Sequence, residues 1–134
     1  MSQAQQDSQS HHFRNALGCF PTGVAIITTL DAQDEPVGLT CNSFSSVSLE
    51  PPLVLWSLRK SSKSIEIFRQ TQKFAINVLS HQQDGLSGRF ASSSKSMAEK
   101  FAGVAYTRGW QGTPVLADCI ANFQCSLFAR HDAS

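Results

Sequence analysis

Two short stretches gather side chains suited to holding a ligand. Thr40 to Ser46 is a run of hydroxyls with one amide, broken only by single apolar residues. A tight loop of this kind offers backbone N–H groups beside the Asn42 amide, a donor and acceptor set that suits a heterocycle edge with carbonyls and a ring N–H. The same residues also make an ordinary turn between strands. Ser57 to Ser64, SLRKSSKS, places four hydroxyls and three cations where a strand ends and a helix begins. A helix start aims N–H groups and the positive end of its dipole at one point, which favours a phosphate; a capped, solvated helix start reads the same way.

Other chemistries lack their signatures. There is no GxGxxG, Gly85 and Gly88 giving only GLSG, and no Walker loop, HExxH or nucleophile elbow. His81 has no fixed carboxylate or nucleophile near it in sequence, which argues against a catalytic base. Cysteines stand at 19, 41, 119 and 125 without a CxxC pair; they read as reduced thiols of a cytoplasmic protein rather than a disulfide framework. Zinc-ligand spacing is absent, so no metal is expected.

At 134 residues the chain is expected to form one domain. Only 16% of residues are charged, and with nine Phe this suits a large hidden surface, including a subunit interface. A net charge of +1 gives no electrostatic case for nucleic acid or an anionic membrane. No apolar run reaches the roughly 18 residues of a spanning helix. Residues 1–12 lack a basic end and an apolar stretch; they read as a disordered polar tail rather than a secretory signal, with the domain beginning at Phe13.

The elements that must position these groups follow from periodicity. Phe13, Ala16, Leu17 and Phe20 are spaced for a helix ended by Pro21 and Gly23. Val24 to Leu30 is β-branched and continuous, a strand buried on both faces. A polar turn at Asp31–Glu35 leads to a second strand over Pro36–Thr40. Asn42 to Ser48 reads as a polar, irregular segment, and Leu53 to Leu58 as the next strand. Ser61-Ser62 offers a cap for a helix from about Lys63 to Gln72, with Ile65, Phe68 and Ile67 inward. Phe74–Leu79 is a strand, Gln82–Arg89 a short helix, Phe90–Ser96 a loop, Met97–Phe101 one helical turn and Gly103–Gly112 turn-rich. Ala121 to Arg130 alternates strictly, as a half-buried antiparallel strand does. Many strands and few helices favour a closed or nearly closed β-barrel.

The stretch Gly38–Leu58, GLTCNSFSSVSLEPPLVLWSL, resembles the signature of the flavin reductase-like family, and the resemblance extends from about Phe13 to Arg130. It implies a mainly β fold with short helices, an FMN-binding split β-barrel. It also implies reduction of FMN or FAD by NAD(P)H, supplying a partner monooxygenase, in a homodimer with flavin near the subunit interface. By position it implicates Thr40, Cys41, Asn42 and Ser43 in flavin contact, and Ser57, Ser62, Ser64 and, less strongly, Lys63 at the phosphate. In Asn77–Ala91 it places Arg89 at the phosphate, where a guanidinium pairs in bidentate fashion, beside a Phe90-Ala91 pair. Arg89 taken alone reads equally as a surface arginine, and Phe90 as core or slot lining. Lys100-Phe101 matches a position near the cofactor or the partner subunit, and reads equally as structural. The family pattern continues into a Gly-Asp-His motif and closing strands, so the last strands are expected to be missing here. That would leave Ala121–Arg130 with an unpaired edge. A flavin-binding module without turnover is the alternative reading.

Overall fold

The computed structural model describes residues 24–41, 44–50, 52–58, 62–127 and 129–130. The expected helix over Phe13–Phe20 and the polar tail lie outside them, as do Asn42 and Ser43. The fold is mainly β with short helices, as the sequence indicates.

The central layer is a four-stranded antiparallel sheet. Its strands are β1 (Ala25–Leu30), β2 (Pro36–Cys41), β5 (Lys73–Val78) and β8 (Ala121–Ser126), in the order β2-β1-β5-β8. β1 is sandwiched on both faces, which is why its sequence is unbroken apolar and β-branched. Ala25 and Ile27 join one core with Val37, Phe68, Phe74 and Ile76, while Ile26 points the other way to Phe90, Phe101 and Leu116. The β1–β2 turn is built by Asp31, whose carboxylate accepts from the N–H groups of Gln33 (2.8 Å) and Glu35 (3.0 Å). Asp34 occupies the left-handed region there, with φ 62°.

On the Phe-rich face lie helix α1 (Ile65–Gln70) and the hairpin of β3 (Ser45–Leu49) and β4 (Pro52–Leu55). Phe68 is buried, and the half-buried Trp56 meets both Phe68 and Phe74 edge-on. On the opposite face lie helices α2 (Asp84–Ala91) and α3 (Met97–Phe101) and the hairpin of β6 (Tyr106–Arg108) and β7 (Pro114–Leu116). Short 3-10 helices precede α2 (His81–Gln83) and β7 (Trp110–Gly112).

Two segments differ from the expectation. Ser45–Leu49, read as irregular, is a strand, and Gly103–Gly112, read as turns, contains β6. Both strands are short and rich in Ser, Thr or Arg, and each is held by its hairpin partner. Among the described residues the three sheets are separate and do not close into a barrel, and β8 pairs only with β5. β8 shows the expected alternation, with Ala121, Phe123 and Cys125 half-buried and Asn122, Gln124 and Ser126 exposed. Burial pushes the Cys125 thiol up to about 12 and, as the leading cause, raises that of Cys119, so neither is a thiolate near neutral pH.

Asn77 ties the β6–β7 hairpin to the sheet. It is fully buried, and its amide donates to the Ile26 carbonyl (2.9 Å) and the Thr28 hydroxyl (3.0 Å). Its carbonyl oxygen accepts from the Leu116 N–H (3.0 Å) and the Asn122 amide (2.7 Å). Replacing it strands several buried groups at once, so Asn77→Ala is expected to cost on the order of 3 kcal/mol. A urea titration checks this: the midpoint falls while the slope is unchanged.

Candidate functional site

Three segments are joined by side-chain bonds, Thr40 at the C-terminal end of β2 reaching α2 and Lys63 reaching the loop after it. The first is β2 itself. The Thr40 hydroxyl donates to the Ser87 carbonyl at 2.6 Å, fastening this strand end to α2. Cys41 turns its side chain into the Phe-rich core, so any contact with a ligand falls to its backbone.

The second segment is the turn before α1. Ser62 accepts from the Ser64 N–H through its hydroxyl (3.2 Å) and from the Ile65 N–H through its carbonyl (3.2 Å). α1 therefore begins two residues later than the expected start at Lys63. Ser64 stands at the cap position, buried, without a side-chain capping bond. Exposed Lys63 reaches across to donate to the Ser93 carbonyl at 2.8 Å, in the loop that follows α2. Ser57, at the end of the strand region after β4, is exposed.

The third segment runs from α2 through α3. Arg89 does not extend freely into this region. Its Nη2 donates to the carbonyls of Glu99 (3.0 Å) and Ala102, clasping the last turn of α3 to α2. This is the arrangement expected of a cation at a helix C-terminus, where carbonyls lack partners. Phe90 is 1% exposed and packs edge-on against Phe101 at 4.9 Å; its place is in the core under both helices. Ala91 closes α2 and is exposed.

α3 brings in a group that the sequence reading put aside. Lys100 is only 7% exposed, yet among the described residues its ammonium has no carboxylate partner. The neighbouring Glu99 is turned toward the start of α3. There its carboxylate accepts from the Ser96 N–H (3.2 Å) while the Ser96 hydroxyl accepts from the Glu99 N–H (3.1 Å). Those contacts, the Ser96 N–H first, hold the Glu99 carboxyl below the usual range. Lys100 itself is pushed below the ordinary lysine value, first by burial and then by the charge of Lys63. Two cations thus stand near one another, one of them on a largely buried side chain, beside the Ser92–Ser96 loop with its bonded Ser92 and Ser94 hydroxyls (3.1 Å). A phosphate placed here would supply countercharge to both and accept hydrogen bonds. This donor set fits the phosphate end of a flavin nucleotide.

The sequence carried one sign of this. Met97, Lys100 and Phe101 share the i, i+3, i+4 face of a helical turn, so Lys100 falls on the inward side. Arg89 drew attention instead because a guanidinium is the better-known phosphate partner.

Other regions compete poorly. A cleft of about 500 Å³ lies at the opposite end of the β1–β2 hairpin, lined by Asp31, Asp34, Glu66 and Lys73 among others. Its carboxylates outnumber its cation, and no residue singled out in the sequence lines it. Among the described residues no group of three His, Cys, Asp or Glu is placed to hold a metal, and no helix is long and apolar enough to cross a membrane.

Comparison with known proteins identifies the family. The chain is 45% identical over 124 residues to the FMN reductase (NADH) SmoA of Agrobacterium fabrum, covering 92% of this chain and 68% of that protein. It is 43% identical over 120 residues to HsaB of Rhodococcus jostii, the reductase subunit of a flavin-dependent monooxygenase, covering 90% of this chain and 60% of HsaB. The structure of the Streptomyces globisporus NADH:FAD oxidoreductase SgcE6, in complex with NAD and FAD fragments, superposes with a TM-score of 0.75 at 32% identity, over 95% of this chain and 74% of that one. The chain thus spans between 60% and 74% of these proteins' own lengths. The family model of the flavin reductase like domain matches residues 17–134, and the chain belongs to that family.

Proposed function

We propose that this chain is an NAD(P)H-dependent flavin reductase that uses FMN or FAD and supplies reduced flavin to a partner monooxygenase. The observation that carries the reading is the pair formed by Lys63 and buried Lys100, uncompensated among the described residues at the meeting of β2, α2 and the turn before α1. The cofactor named for SmoA, the monooxygenase named for HsaB and the nicotinamide and flavin fragments of SgcE6 support it. The split barrel, the homodimer, the cytoplasmic setting and a domain over residues 13–134 belong to the same proposal.

A flavin held here would supply a hydride acceptor for a reduced nicotinamide. The chain's part is to bind and align. Lys63 and Lys100 hold the phosphate, with Ser62, Ser64 and the Ser92–Ser96 loop supplying polar groups around it. Thr40 keeps the end of β2 against α2. Arg89 acts through the carbonyls of α3, keeping Lys100 in place. No protein base is needed, because hydride transfer depends on two rings held close, aligned and dry.

Two measurements test this. Mixing the purified chain with FMN and NADH is expected to bleach the nicotinamide absorbance band with turnover. Binding of FMN without bleaching would leave a flavin-binding module, and absence of both would remove the proposal. The second concerns Lys100, whose folded pKa lies below the ordinary 10.5. The folded chain therefore releases this proton before the unfolded chain does. The cost of holding the charge is present at neutral pH and fades as pH rises toward 10.5, so stability from this residue increases over that window while anion affinity falls. Lys100→Met is accordingly expected to raise the melting temperature in phosphate-free buffer yet weaken FMN binding about tenfold or more. A variant that is both less stable and unchanged in FMN affinity contradicts the assignment.

A further inference from the structure

We infer that Gly38 is a positioning residue for the phosphate grip, an inference that rests on the reading of Lys63 and Lys100 as its anchor. Gly38 lies on β2 opposite Thr28, on the face that α2 and α3 cover. A Cβ at this position would stand 2.8 Å and 2.9 Å from Cε1 and Cδ1 of the Phe90 ring and 3.2 Å from Cζ of Phe101. The first two distances are shorter than side-chain carbons tolerate, and Phe90 is 1% exposed, with no open space into which to swing. Its backbone conformation is not the reason for the glycine; the closeness of the two rings is.

Those rings are the feet of the two helices that meet at the site. Phe90 belongs to α2 and Phe101 to α3; they touch each other at 4.9 Å, and Arg89 clasps α3 to α2 through its C-terminal carbonyls. The helices are therefore seated on β2 as one unit. Two residues along the strand, the Thr40 hydroxyl pins α2 to the sheet at 2.6 Å. A methyl group inserted at Gly38 acts as a wedge beside that pin and tilts the unit away from the strand. Lys100 directly precedes Phe101, so its ammonium is displaced relative to the turn that carries Lys63. The distance between the two cations, and with it the fit to a phosphate, is set by the missing side chain at residue 38.

The test compares FMN with riboflavin, which lacks the phosphate, by fluorescence titration of the full chain, with melting temperatures recorded alongside. Gly38→Ala is expected to weaken FMN binding about tenfold or more and riboflavin binding less than about threefold. Adding Phe90→Leu, which removes the ring and frees the space, is expected to restore the preference for FMN. Equal losses for both ligands, or an unchanged preference in Gly38→Ala, overturn the inference while leaving the phosphate anchor standing. A wild-type chain that binds both ligands equally overturns the anchor, and the inference with it. If Gly38→Ala does not fold, the double variant decides: folded and preferring FMN supports the role, folded without preference overturns it.

Discussion

Lys100 folds most of its side chain against the protein with no carboxylate beside its ammonium among the described residues, and the charge of Lys63 adds to the effect of burial in disfavouring its protonated form. Both effects lower the pKa of Lys100, and no carboxylate among the described residues offsets them. Glu99, the nearest carboxylate in sequence, is held at the start of α3 by Ser96. Lys63 is tethered to the Ser93 carbonyl, which fixes its position without cancelling its charge. On the proposed reading, a bound anion would offset both effects, as in a binding site that is formed in advance.

Such a site must rest on a firm wall, and the four-stranded sheet provides it. β1 is buried on both faces, so the sheet separates a core of aromatic and aliphatic side chains from the layer that carries α2 and α3. The buried amide of Asn77 joins β1, β7 and β8 through hydrogen bonds that a slipped register could not satisfy. Two arginines close the periphery in the same manner. Arg89 takes the final carbonyls of α3, and Arg130 takes those of Phe68 and Thr71 at the end of α1. In each case a guanidinium completes a helix terminus that is too short to rely on its own hydrogen bonds.

How much of this was readable in advance depended on whether local pattern and tertiary setting agreed. β1, β2, β5 and β8 were plain because continuous or alternating apolar residues fix a strand's buried faces. β3 and β6 were not, because Ser45–Leu49 and Tyr106–Arg108 owe their extended form to hairpin partners rather than to composition. The site shows the same division. The Gly38–Leu58 signature pointed to a flavin, yet the reason for its first glycine lies in Phe90 and Phe101, more than 50 positions downstream. Arg89 looked like a phosphate ligand because guanidinium chemistry suits one, but only the fold reveals the carbonyls that occupy it. Lys100 carried only a weak sign of the cofactor region, because sequence displays a charge and conceals how far its side chain is buried.

The claim at the centre is that Lys63 and Lys100 together hold the phosphate. A crystal structure of the chain grown with FMN tests it most directly. The account predicts a phosphate oxygen within about 3.2 Å of Lys100 Nζ, with Lys63 on the same group. A flavin bound with its phosphate elsewhere, and Lys100 left without an anionic neighbour, would contradict it.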